Sequence, residues 1–179
     1  MRFRLLVTGL LAFLLFGCSS DDSDAKDGSA DRAAFATELM HRDAALLNLL
    51  DASLGQSLPT TTSTAVETVR ADVTARIETS ADLLAEWGAD VPVTVRDHGV
   101  DHGIEADAPD LEGTPTEDDI HGLEELSGDD FATAFTELLR AALDGTTTAA
   151  SAYDGTDPSA GELAEAAERQ SQAALDTLG

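Results

Sequence analysis

Four stretches of this chain place apolar side chains at steps of three, four or seven, and two of them begin almost alike. Phe35-Ala36-Thr37-Glu38-Leu39-Met40 is echoed by Phe131-Ala132-Thr133 and by Thr136-Glu137-Leu138-Leu139. Such spacing lays a stripe along one face of a helix, and the stripe must be hidden against another element. The first runs through Phe35, Leu39, Leu46, Leu50 and Leu54, broadened by Met40, Leu47 and Leu49, until Gly55 and Pro59 stop it. Val66, Val69, Val73, Ile77, Leu84 and Trp87 form the second, with Ser80 in the missing turn and Gly88 as terminator. Phe131, Phe135, Leu138, Leu139, Ala142 and Leu143 make the third, which Asp144-Gly145 and three threonines weaken at its far end. Leu163, Ala166, Ala167, Gln170, Ala174 and Leu178 give a fourth stripe of smaller residues.

Capping signals set the expected starts. Thr64 with Glu67, and Ser159 with Glu162, have the spacing of a capping box, and Thr116 to Asp119 is a third N-terminal signal opening a short helix through Leu126. The partner helices share Ser80, Leu84, Gly88 and Ser171, Leu175, Gly179 at equal distances. Neither member of a pair can bury its stripe alone, so the stripes predict two antiparallel hairpins forming a four-helix bundle. Residues 89–115 carry Pro92, Pro109, Pro115 and the doublet Asp97-His98-Gly99-Val100-Asp101-His102-Gly103, and read as a long crossover loop.

The start of the chain concerns location. Arg2 and Arg4 precede an apolar run from Leu5 to Phe16, followed by Gly17-Cys18-Ser19-Ser20. This is the pattern of a bacterial lipoprotein signal; the run is too short for a bilayer core, which needs roughly 20 residues. Residues 1–17 are therefore expected to be a signal peptide and 18–30 a lipidated flexible tether rich in Ser, Asp, Ala and Gly. Residues 31–179 make a single domain. Cys18 is the only cysteine, so it has no internal disulfide partner and is the expected lipidation site. Cleavage would move the formal charge from −25 to −27. A surface so acidic repels phosphate backbones, so nucleic acid is excluded as a partner.

The arrangement resembles the family called domain of unknown function 305, a ferritin-like group of secreted or lipoprotein helical bundles. The likeness spans most of residues 30–179. It rests on Phe35 to Leu46, Ala81 to Trp87-Gly88, the Gly113-Thr114-Pro115-Thr116-Glu117-Asp118 turn, and Ser127-Gly128-Asp129-Asp130-Phe131 leading to Phe135. The resemblance implies an all-α, ferritin-like four-helix bundle with a long crossover and a short extra helix. It also implies a methionine and paired histidines on the first helix of each hairpin, linked in some members to copper handling. Here Arg42 and Asp43 stand at the first histidine pair, Ala142 and Leu143 at the second, and Leu39 and Leu139 at the methionines. Ser80 and Ser171 take the places of glutamines. These changes spare the apolar stripes and remove donors, so the resemblance supports the architecture more than the chemistry.

Few residues point to chemistry. Glu38 and His41 have the Glu-x-x-His spacing of di-metal bundles, but the echo is Glu137-Leu138-Leu139-Arg140, whose arginine repels a second ion, and Glu38 is also spaced for an ion pair with Arg42. His98 and His102, with Asp97, Asp101 and His121, form a weak candidate site for Cu²⁺, Zn²⁺ or Ni²⁺ if the loop folds back. No nucleophile elbow, zincin motif or P-loop is present. The leading expectation is a non-enzymatic, membrane-anchored scaffold or interaction domain on the extracytoplasmic side. It would need no cofactor and would engage the membrane through its lipid and another envelope protein. A metal-buffering, copper-handling-like lipoprotein is the second reading, and an enzyme of unidentified class the third.

Overall fold

A computed structural model describes residues 22–92 and 110–179, with side chains from residue 31 onward. The signal segment, Cys18 and the loop residues Asp97, His98, Asp101 and His102 lie outside the described residues. Among the described residues five helices follow in order: α1 (Asp22–Ala52), α2 (Thr60–Glu86), α3 (Glu117–Glu124), α4 (Gly128–Ala152) and α5 (Pro158–Leu178). Among the described residues there is no strand, and the fold is an all-α bundle. Helices α1 and α2 pair as one hairpin and α4 and α5 as the other; α2 packs on α5, and α1 on α4.

The expected stripes meet at the centre. Leu39, Leu46, Leu50, Val73, Leu84, Phe131, Phe135, Leu139 and Leu143 are all buried, and each large apolar side chain hidden this way contributes about 1.5–3 kcal/mol. The Phe131 and Phe135 rings stack with centroids 5.8 Å apart. Trp87 is only half-buried, because it caps the end of α2 where Gly88 turns the chain at φ +69°. Leu54 lies beyond α1 in the turn and is 72% exposed.

Helix starts differ from the sequence expectation in three places. Helix α1 begins at Asp22 rather than Asp31, so much of the expected flexible tether is helical: once the packed turns exist, each added residue gains a hydrogen bond without a new nucleation cost. Helix α2 starts at Thr60 with Pro59 as its N-cap. That places Thr64 inside the helix, and the Thr64–Glu67 box is not formed. Helix α5 is capped by Asp157, whose Oδ1 accepts from the amides of Ser159 and Ala160 at 3.0 and 3.1 Å. Pro158 follows in the first turn, where its missing N–H costs nothing. The box at Thr116 does form: Asp119 N donates to Thr116 Oγ1 at 3.2 Å, and Thr116 N donates to Asp119 Oδ2 at 2.9 Å.

The crossover returns to the bundle at Gly113. Its backbone, at φ +77°, seats against Gly145 in the middle of α4. Arg42 ties the same point to α1: Nη1 donates to the Glu112 carbonyl at 2.9 Å and to Thr114 Oγ1 at 3.3 Å. Gly145 does not end its helix. It provides the gap that the crossover occupies.

Candidate functional site

Asp43 of α1 and Arg76 of α2 form an ion pair inside the bundle, with side-chain exposures of 0% and 4%. Both stand on apolar stripes: Asp43 four residues after Leu39, Arg76 three after Val73. Arg76 Nε donates to Asp43 Oδ2 at 3.0 Å and Nη2 to Oδ1, giving a two-pronged contact. The free prong continues outward: Arg76 Nη1 donates to Gln170 Oε1 at 2.9 Å, and Gln170 Nε2 donates to Asp72 Oδ1 at 3.3 Å. A polar chain therefore runs from the core of the first hairpin to α5. Its Arg76 and Gln170 members border an open groove of about 270 Å³, lined also by Thr79, Leu83, Glu162 and Leu163. Burial pushes the Asp43 carboxyl above its ordinary value, against the pull of the Arg76 guanidinium.

The expected ion pair of Glu38 with Arg42 is present. Arg42 Nη2 and Nε donate to Glu38 Oε1 at 2.9 and 3.0 Å. The Glu38–His41 pair thus has its carboxylate engaged by a guanidinium, and His41 is half-buried. Arg140, at the echo position, donates to the carbonyls of Leu178 and Gly179, the latter at 2.8 Å, and so neutralises the end of α5. His121 is exposed on α3, and its proposed companions on the loop are outside the described residues. Among the described residues no three His, Cys, Asp or Glu side chains gather as a metal site. Ser80 and Ser171 are buried, and their hydroxyls have no hydrogen-bond partner.

A second cluster closes the opposite end of the first hairpin. Arg32 Nη1 donates to Asp157 Oδ2 at 2.6 Å, and the guanidinium lies 4.8 Å from the Trp87 ring centroid. One side chain thereby joins α1, the end of α2 and the α4–α5 turn. The hydrogen bond from Arg32, with those from the Ala160 and Ser159 amides, holds the Asp157 carboxyl below its ordinary value. Phe35 and Tyr153 pack beside it with ring centroids 4.5 Å apart. Burial raises the Tyr153 phenol, and the nearby Asp157 charge adds to the rise.

A crystal structure of a DUF305 fragment from Deinococcus radiodurans matches with a TM-score of 0.66, covering 83% of this chain and 92% of that one, at 14% identity. The fold is DUF305-like. At that identity the likeness concerns the fold alone. No protein-family model and no curated protein matches the chain.

The arrangement holds charges in place within the bundle. Asp43, Glu38 and Asp157 each face a guanidinium, and Arg32, Arg42, Arg70 (through Asp51 of α1), Arg76 and Arg140 bind helices or the crossover to one another. The Asp43–Arg76 pair does not stand out from residue spacing alone. The signal was there, as two opposite charges standing on apolar stripes of helices expected to face each other.

Proposed function

We propose that this protein is a lipid-anchored, extracytoplasmic helical domain that works without catalysis, as a scaffold or binding module for another envelope protein. The observation that carries the non-catalytic part is the state of Asp43. It stands where the family resemblance places a histidine, is fully buried, and is bound at both oxygens by Arg76. Ala142 and Leu143, at the second histidine pair, are buried apolar side chains. The anchoring part rests on Arg2 and Arg4, the apolar run and Gly17-Cys18. Among the described residues no helix is long and apolar enough to cross a membrane, and the lipid on Cys18 is the proposed attachment.

Intact mass and membrane fractionation test the anchoring. Acyl mass on the wild type and release of Cys18→Ser are expected; no acyl mass with unchanged partitioning would overturn the assignment. A metal-buffering lipoprotein is the second reading, favoured by the His98/His102 doublet and its aspartates. Metal analysis of the purified chain, followed by titration with Cu²⁺, Cu⁺, Zn²⁺ and Ni²⁺, separates the two.

A further inference from the structure

The turn between α1 and α2 differs in chemistry from the rest of the surface. A quarter of the chain is charged, yet no charged residue occurs from Ala52 to Val66. Hydroxyls fill that window around one proline, in Ser57-Leu58-Pro59-Thr60-Thr61-Thr62-Ser63-Thr64. Ser57, Thr60, Thr61 and Thr64 are exposed. Elsewhere the exposed helical threonines Thr68, Thr74, Thr79, Thr133 and Thr177 turn their hydroxyls back to the carbonyl four residues earlier. At the turn they do not: Pro59 is the N-cap, no side chain caps α2, and Thr60 and Thr61 stand in the first turn, with no helical carbonyl behind them.

We propose that this turn is a site of O-glycosylation, with Ser57, Thr60, Thr61 and Thr64 as acceptors. The proposal rests on the extracytoplasmic reading above, since it places the turn where envelope glycosyl transfer occurs. A hydroxyl-rich, proline-bearing segment is the composition on which such sugars are carried. The donor is an activated sugar phosphate. The threonine or serine oxygen bonds to the anomeric carbon as the bond from that carbon to the phosphate oxygen breaks. The hydroxyl proton goes to a base on the transferase, and the phosphate leaves with the bonding pair. Room for the product exists alongside: a groove of about 410 Å³ lies between Pro59, Thr61 and Thr62 on one side and Asp129, Thr133 and Glu137 on the other. Its carboxylates can accept hydrogen bonds from sugar hydroxyls. Helix α1 is 31 residues long, so the turn lies about 46 Å from the N-terminal end of that helix.

The test uses the full-length protein purified from the membrane of its own host. Trypsin releases the whole turn on one peptide, Asp43 to Arg70. Mass increments of hexose, deoxyhexose or N-acetylhexosamine are expected on that peptide. Fragmentation should place them between Ser57 and Thr64, and they should vanish in Ser57→Ala/Thr60→Ala/Thr61→Ala/Thr64→Ala while the helical circular dichroism is kept. An unmodified peptide, a sugar confined to Thr68, or a phosphate increment would overturn the proposal. Acyl mass at Cys18, read from the same preparation, shows whether the localisation has failed or only the glycosylation.

Discussion

Gly113 and Gly145 meet backbone to backbone: a Cβ added to Gly113 would lie 3.0 Å from Gly145 Cα, and one on Gly145 would lie 3.0 Å from the Glu112 carbonyl oxygen. The crossover is thus fitted to a notch in α4, and Arg42, 3.2 Å from the same hypothetical Gly145 Cβ, bridges both to α1. Helix preference and packing oppose each other at this position.

Gly145→Ala should therefore destabilise the fold, although alanine in an open helix interior gains roughly 0.5–1 kcal/mol over glycine. Gly161, in α5 with nothing within 4 Å of its added Cβ, is the control. Gly161→Ala should stabilise by about that amount. Urea melts of the two variants decide it, and a stabilised Gly145→Ala would mean that the crossover can move aside.

The Asp43–Arg76 pair predicts a sign reversal between single and double variants. Arg76→Met leaves a buried carboxylate alone and should cost about 3–5 kcal/mol, whereas Asp43→Leu/Arg76→Met should be near neutral or more stable. The pH dependence follows from Asp43, whose folded carboxyl is raised above 3.8. The folded state then holds the proton more tightly than the unfolded chain. Its contribution is fullest below 3.8 and falls as pH rises through the raised value. Losing Arg76 raises it further, so the penalty of Arg76→Met should be larger at pH 7 than at pH 4.

Much of this fold is legible from periodicity alone. The stripes through Leu39, Val73, Phe135 and Leu163 place all four long helices, because burial of one face is the dominant favourable term and leaves its mark in every turn. Helix starts were less legible. Thr64 and Ser159 have capping spacing, but α2 starts earlier, behind Pro59 and with no side-chain cap, and Asp157 caps α5 in place of Ser159; several residues near a helix start can serve, and tertiary packing chooses among them. Charges on the stripes were the least legible. Asp43 and Arg76 each look like an interruption, and only the facing of α1 on α2 turns two interruptions into a pair. Gly145 is similar: read locally it weakens a helix, and its reason lies 32 positions earlier at Gly113.

Asp157→Ala should cost about 0.5–2 kcal/mol through loss of the α5 cap, and it also removes the partner of Arg32. Because the folded Asp157 carboxyl is held below 3.8, its stabilisation is present above that value and is lost as pH falls through the lowered one. The difference in melting temperature between wild type and variant should therefore shrink on acidification. A difference that stays constant into strong acid would show that the charge contributes nothing.

Phe135 is fully buried and stacked on Phe131, whereas Leu54 stands in the open turn. Phe135→Ala should cost about 3–5 kcal/mol. Leu54→Ser should stay within about 0.5 kcal/mol, as for other surface positions. Equal losses in chemical denaturation would mean that Leu54 is covered in solution, which size-exclusion chromatography with light scattering would then detect.

Transition-metal binding, where titration finds it, should come from the loop that carries His98 and His102, not from Glu38 and His41. The Glu38 carboxylate is engaged by Arg42 in two hydrogen bonds, so an ion there would have to displace a guanidinium and then sit beside its charge. The loop sequence keeps two imidazoles and two aspartates within six residues. Imidazole binds metal only when neutral, so affinity should weaken as pH falls below about 6.5. Competition-calibrated titrations compare His98→Ala/His102→Ala with His41→Ala. The loop variant should lose binding and the His41 variant keep it. Micromolar or tighter binding that survives the loop substitutions and disappears with His41 would move the site into the bundle, and would require Arg42 to release Glu38.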